Sequence, residues 1–260
     1  SRRLHMQQKE EGRNHHSKIP EARLRRQVGW MKDQWTWLLQ SRILSKQIGS
    51  RRLSALEVGC GPGLVMESLR PLFEMEGVDL DEAAVKVCRR RGLVASVGDA
   101  HHLPYPDKSF DIVLCSFLLL WVERPEKVLA EMSRVSRKWV ICLAEPDFGG
   151  RTVFPPEVAQ LDDAIIEGLH RRGADPLMGR KLLGLMRQSG LNGEVGVRPG
   201  SWTGERLKAE ANDEWETIAA DSGLVVDDET LVRAKAAYMK ALDDGSLCLF
   251  NPIFYAIGTK

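Results

Sequence analysis

The chain has 260 residues, 43% hydrophobic and 28% charged, enough for one α/β domain with a substantial core plus an elaboration. Its 37 basic and 36 acidic side chains nearly cancel, so no overall field draws it to nucleic acid or to an anionic membrane. The longest apolar stretch, residues 112–122, is interrupted by Ser116 and falls short of the ~20 residues a bilayer span needs. No leader pattern opens the chain, and the five cysteines are dispersed and odd in number, which predicts a cytoplasmic protein with reduced core thiols and no disulfide frame or zinc site.

Residues 1–19 are polar and aperiodic and read as a mobile tail, with His15-His16 a solvated pair. Over residues 20–40, Leu24, Val28, Met31, Trp35 and Leu38 fall on one helical face, so residues 20–49 are expected to form an N-terminal helical cap. Such a stripe either closes the core or covers a ligand, and the three tryptophans Trp30, Trp35 and Trp37 exceed what a simple core cap requires.

From Leu53 onward strands and helices alternate: strand 53–58, helix 63–70, strand 74–79, helix 81–91, strands 93–97 and 110–116, helix 125–135, strand 138–144. This βαβ series predicts a mostly parallel sheet with right-handed crossovers. The first strand ends in Leu56-Glu57-Val58-Gly59-Cys60-Gly61-Pro62-Gly63, where alternating glycines let backbone approach a ligand closely. The second ends in Val78-Asp79, a carboxylate placed to accept from ribose hydroxyls, and Gly98-Asp99-Ala100 follows the third. Beyond Pro155-Pro156, Val158, Leu161, Ile165 and Leu169 make another helical stripe. A helix over 176–189, a strand near Val195 and a single apolar strand over 247–257 complete the series. The intervening segment, about 202–246, holds Trp202 and Trp215 and reads as a helical insertion, because a structureless loop of that length is uncommon in a compact domain.

In these ordered motifs, over Leu53 to Pro146, the sequence resembles the class I S-adenosylmethionine-dependent methyltransferases, in particular the ubiquinone/menaquinone-biosynthesis branch. The resemblance implies an α/β fold: a Rossmann-like, doubly wound, mostly parallel seven-stranded sheet with an antiparallel last strand, capped by N-terminal and inserted helices. Residues 50–260 would form that domain. It also implies S-adenosyl-L-methionine as cofactor, held by Glu57 at its amino group, by the turn Gly59, Cys60, Gly61 and Gly63, and by Asp79 with Leu80 at the ribose. Asp99 and Ala100 would meet the adenine, with Ser116 near the methionine moiety and Trp121 stacking on or roofing the cofactor. The family's Lys-Pro-Gly-Gly turn is replaced here by Ser136-Arg137-Lys138-Trp139.

In-line methyl transfer needs alignment first, and a base only where the acceptor is protonated. Candidates for the base are His101, His102, Glu145 and Asp147, at or beyond strand ends, with His101 and Glu145 preferred as catalytic residues. No set of residues has metal-ligand spacing. The expected acceptor is a small, neutral or apolar metabolite, in keeping with the tryptophan-rich accessory segments. A protein or RNA methyltransferase and a non-catalytic cofactor-binding protein remain as alternatives. A nicotinamide-dependent dehydrogenase would need the third glycine one residue later.

Overall fold

The structure is a computed structural model that describes residues 19–197 and 204–260; the predicted tail up to residue 18, with His15-His16, and Trp202 lie outside the described residues. The chain divides into two compact units. The first comprises the residues up to Glu145 with Lys181–Gly196 and Tyr255–Lys260; the second comprises Pro146–Arg180 and Val197–Phe254.

The first unit begins with α1 (Glu21–Arg42). There follow β1 (Ser54–Val58), α2 (Leu64–Leu69), β2 (Glu74–Asp79), α3 (Glu82–Arg90) and β3 (Val94–Val97). Next come β4 (Phe110–Cys115), a 3-10 turn at Leu119–Trp121, α4 (Pro125–Val135) and β5 (Ser136–Pro146). The sheet has seven strands in the order β3-β2-β1-β4-β5-β9-β7, mostly parallel with an antiparallel strand, where β7 is Asn192–Val197 and β9 is Ile253–Thr259. β1 pairs in parallel with both β2 and β4, so it is an interior strand and delivers its glycine turn to the carboxyl edge of the sheet. All six residues of β4 are buried, as expected of a parallel strand covered on both faces, which is why it is apolar apart from Asp111. Asp81 caps α3 by accepting from Ala83 N–H at 2.8 Å, and Pro125 opens α4 where no intrahelical donor is needed.

α1 spans 21–42 and packs against α2 with Met31, Trp35, Leu38 and Leu39 buried, while Trp37 is exposed. Glu21 accepts from Arg91 at 2.7 Å, and Arg42 pairs with Glu194 at 3.0 Å. Of the stripe, Met31, Trp35 and Leu38 are buried, Trp35 and Leu38 each 1% exposed, while Leu24 and Val28 are half-buried.

The second unit holds β6 (Thr152–Phe154), α5 (Pro156–Ala159), α6 (Asp162–Arg171), α8 (Gly204–Ser222), α9 (Asp228–Asp244) and β8 (Cys248–Phe250). The short helix α7 (Leu182–Gln188) belongs to the first unit. α6 and α8 cross at Gly168, where a Cβ would lie 1.8 Å from the Asp221 carbonyl oxygen. Arg172 donates to the Asp221 carboxylate at 2.8 Å and to the Ala220 carbonyl, and Arg171 donates to the Leu224 carbonyl at 2.8 Å, so two arginines satisfy the C-terminal end of α8. The Trp215 and Tyr238 rings, 5.5 Å apart, join α8 to α9.

Three local expectations need correction. The apolar run 247–257 is two strands in different sheets, β8 pairing antiparallel with β6, because Asn251-Pro252 breaks the run and Pro252 has no N–H to continue a ladder. The helix expected over 176–189 is a 3-10 turn at Gly179–Lys181 followed by α7, ending before Gly190 at φ +73°. Of the five thiols, Cys248 is exposed and not a core residue.

Candidate functional site

The glycine turn is hung on β2: Gly59 and Cys60 N–H both donate to the Val78 carbonyl, at 2.8 and 3.1 Å. Gly59, Gly61 and Gly63 have φ of +73°, +49° and +84°, backbone that other residues rarely adopt. Their surroundings differ. A Cβ on Gly59 would press on Leu118 Cδ1 at 2.8 Å and one on Gly63 would meet Leu93 and Cys88, whereas one on Gly61 would meet nothing within 4 Å. Gly59 and Gly63 thus serve packing, and Gly61 lines open space. Cys60 turns its thiol inward, into an apolar cluster with Met66, Val85 and Cys88, leaving its backbone to the turn.

Asp79 ends β2 and joins two elements. Its Oδ2 accepts from Gly61 N–H at 2.7 Å and its Oδ1 from Asp81 N–H at 2.8 Å, so one carboxylate fixes both the glycine turn and the approach to α3. Each oxygen retains a second lone pair for a ligand hydroxyl. Leu80, beside it, is 57% exposed at the same sheet edge.

After β3, Asp99 Oδ1 accepts twice from His101, from its backbone N–H and from its ring Nδ1, both at 2.8 Å. Burial works to raise the Asp99 carboxyl, but the two His101 donors outweigh it and hold the group below the usual carboxylate range. Ala100 follows in the turn, and His102 N–H closes it on the Asp99 carbonyl at 2.9 Å.

Two buried oxygens beside the turn lack hydrogen-bond partners: Glu57 Oε2 and Ser116 Oγ. Burial above all, with the Cys88 thiol and the Asp79 charge adding, pushes the Glu57 carboxyl well above its ordinary value. A cationic group arriving there would find an acceptor already desolvated.

Glu145, fully buried at the end of β5, is committed to backbone. Oε1 accepts from Leu118 and Leu119 N–H at 3.0 and 2.7 Å, and Oε2 from Leu120 N–H at 3.2 Å. The turn it holds carries Trp121 at its end and Phe117 at its start, the latter at φ +51° with its N–H on the Ala144 carbonyl at 2.8 Å. Because Leu118 also packs on Gly59, the carboxylate, the turn after β4 and the glycine turn form one chain of contacts.

Each of the four base candidates has partners of its own. Glu145 has the three amides, His101 is tied to Asp99, and exposed His102 places Nε2 2.7 Å from Lys127 Nζ. Asp147, in the second unit, pairs with Arg180 at 2.6 and 2.7 Å and accepts from Gly149 N–H at 3.1 Å. No group of His, Cys, Asp and Glu among the described residues is arranged to hold a metal ion. Phe117 and Leu118 escaped the sequence reading, since neither positive φ at a phenylalanine nor contact with a glycine sixty residues away leaves a local signal.

Comparison with known proteins points the same way as the strand-end motifs. A family profile described as a methyltransferase domain matches residues 56–143. That match covers about a third of the chain and supports a class I S-adenosylmethionine-dependent methyltransferase. The matched stretch runs from within β1 into β5 and contains the carboxyl ends of β1, β2, β3 and β4. The chain is 33% identical over 107 residues to a phosphatidylethanolamine N-methyltransferase of Cereibacter sphaeroides, covering 37% of this chain and 52% of that one. It is 39% identical over 90 residues to a fatty-acid O-methyltransferase of Mycolicibacterium smegmatis, covering 32% of each. The match thus spans at most about half the length of these curated relatives. Among solved structures, phosphoethanolamine N-methyltransferase 2 of Haemonchus contortus, in complex with phosphomonomethylethanolamine and S-adenosylhomocysteine, superposes with a TM-score of 0.56 at 16% identity, covering 88% of this chain and 53% of that one. That likeness is one of fold. None of these matches singles out the ubiquinone/menaquinone branch of the methyltransferase domain.

Proposed function

We propose that this chain transfers the methyl group of S-adenosylmethionine to a small, apolar or lipid-like metabolite. The observation that carries the reading is the open space at Gly61 in a turn that Asp79 holds, together with the unpartnered buried oxygens of Glu57 and Ser116 near the ends of the neighbouring strands β1 and β4. These residues fit the cofactor. Glu57 Oε2 suits its ammonium, Asp79 the two ribose hydroxyls, Leu80 an apolar face of the nucleoside, and Asp99 with Ala100 the adenine edge. When bound, S-adenosylmethionine supplies an electrophilic sulfonium methyl.

The protein's part is alignment. The Glu145-held turn keeps Ser116, Phe117 and Trp121 in fixed positions beside the glycine turn, and a near-attack geometry is itself worth several kcal/mol. With Glu145 occupied by backbone and the His101 ring by Asp99, both preferred base candidates are better employed as supports. The named activities of the two curated relatives, on phosphatidylethanolamine and on a fatty acid, favour an apolar acceptor over a charged polymer.

The test is calorimetric titration of S-adenosylhomocysteine with the native chain, Asp79→Ala and Gly61→Val, followed by assay of radiolabelled methyl transfer to fatty acids and phospholipids. Native binding should weaken by roughly tenfold or more in Asp79→Ala, in line with lost charge-assisted hydrogen bonds, and vanish in Gly61→Val. Equal affinity in all three removes the site assignment. Binding without transfer to any acceptor favours the non-catalytic alternative.

A further inference from the structure

We infer that His101 is a positioning residue that aims the Asp99 carboxylate at the amino group of a bound adenine, an inference that rests on the cofactor reading above. A carboxylate only accepts, so the ring proton sits on Nδ1, 2.8 Å from Asp99 Oδ1. The other ring nitrogen, Nε2, is buried and has no hydrogen-bond partner among the described residues, so Asp99 is the ring's hydrogen-bond partner there. The polar work the ring does among those residues runs through Asp99.

The fork has a direct consequence. With both His101 donors on Oδ1, Asp99 cannot rotate freely about its side-chain bonds, and Oδ2 carries no hydrogen bond among the described residues while the side chain is 49% exposed. A fixed carboxylate with one oxygen satisfied and the other presented outward recognises a group that offers an N–H, and the exocyclic amine of a 6-aminopurine is such a group. The two donors also keep the carboxyl below its usual range and hence ionised, the form that accepts.

The surrounding turn does not depend on the ring. His102 N–H bonds the Asp99 carbonyl at 2.9 Å, Leu103 N–H bonds Glu131 at 2.9 Å, Arg134 NH2 donates to the Leu103 carbonyl at 3.0 Å, and His102 contacts Lys127. Removing the imidazole therefore frees Asp99 without dissolving its backbone, and the His101 backbone N–H stays in place.

The experiment measures, by calorimetry, the affinity of the full chain for S-adenosylhomocysteine and for its 6-deamino analogue, which carries purine in place of adenine, alongside each variant's melting temperature. The native chain should prefer the amino ligand by about tenfold, and Asp99→Ala should bring the ratio near one. His101→Ala should lower the ratio about three- to tenfold through the amino ligand alone, with the melting temperature held. His101→Asn, whose amide can still donate to Asp99, should restore most of the preference. If Asp99→Ala leaves the ratio unchanged, the adenine assignment of Asp99 fails and takes the inference with it. If Asp99→Ala collapses the ratio and His101→Ala does not, the assignment stands and the inference is overturned. Equal weakening of both ligands in His101→Ala, with a lowered melting temperature, also overturns it by making the ring a structural support only.

Discussion

Replacing Glu145 with glutamine separates a supporting role from a catalytic one. In the native chain the carboxylate accepts three backbone N–H bonds, two on Oε1 at 3.0 and 2.7 Å and one on Oε2 at 3.2 Å, in a place without solvent exposure. Glutamine offers one accepting oxygen and an NH2 that faces whichever amides the oxygen does not reach. One or two of the Leu118, Leu119 and Leu120 donors are then left buried and unpaired, at about 1–3 kcal/mol each. Part of this is offset because a neutral amide is easier to bury than a carboxylate. A net loss of ~2 kcal/mol is expected, which for a chain of this size lowers the melting temperature by about 4–8 °C. Since Leu118 packs on Gly59, affinity for S-adenosylhomocysteine should fall in the same variant. Differential scanning calorimetry and ligand titration on Glu145→Gln check both. A variant with native melting temperature and native cofactor affinity but no methyl transfer would refute the argument and return Glu145 to the role of base.

Glu57→Gln should stabilise the ligand-free chain. Burial raises the native carboxyl well above its unfolded value, so its contribution to stability is full below about pH 4 and is lost as pH rises towards the raised value. The variant's melting temperature should therefore match the native one near pH 4 and exceed it increasingly above, while affinity for the amino group of the cofactor falls; an advantage that shrinks with rising pH would sink this. Gly168→Ala should destabilise the second unit by about 1–3 kcal/mol or more, because the new Cβ would lie 1.8 Å from the Asp221 carbonyl and must push α6 off α8, outweighing the gain in helix propensity; an unchanged or raised melting temperature contradicts it. Asp111, despite burial, is held down to about 2 by hydrogen bonds from Arg51 and Ser54, so its stabilisation is present above about pH 4 and lost as pH falls through 2. Arg51 is 66% exposed and its share is screened by solvent, so Asp111→Asn should cost about 1–2 kcal/mol at pH 7, the difference closing towards pH 2 in acid-unfolding curves. A difference that persists undiminished at pH 2 would contradict that assignment.

The parts of this molecule legible in its sequence are those whose cause is local. β1 and β4 are short, largely apolar runs closed by turn residues, and Gly59, Gly61 and Gly63 announce a tight turn because little else tolerates their φ. Asp79 and Asp99 stand out as candidates in the sequence because a carboxylate at or just beyond the end of a parallel strand lands at the edge of the sheet where ligands bind. Apolar character alone joins 247–257 into one strand, whereas Pro252, with no N–H to give a ladder, divides it in two. The crossing at Gly168 had only a glycine in a helical stripe to mark it, and what makes that glycine necessary is a carbonyl more than fifty residues away. Glu145 shows the boundary most clearly. A carboxylate at the end of a parallel strand is placed equally well to serve a ligand or to satisfy backbone, and its residue type is the same in both roles. What decides is whether Leu118, Leu119 and Leu120 turn their N–H groups towards it, and that follows from Phe117 entering the left-handed region at φ +51°, a conformation its side chain does not favour and only the surrounding fold imposes.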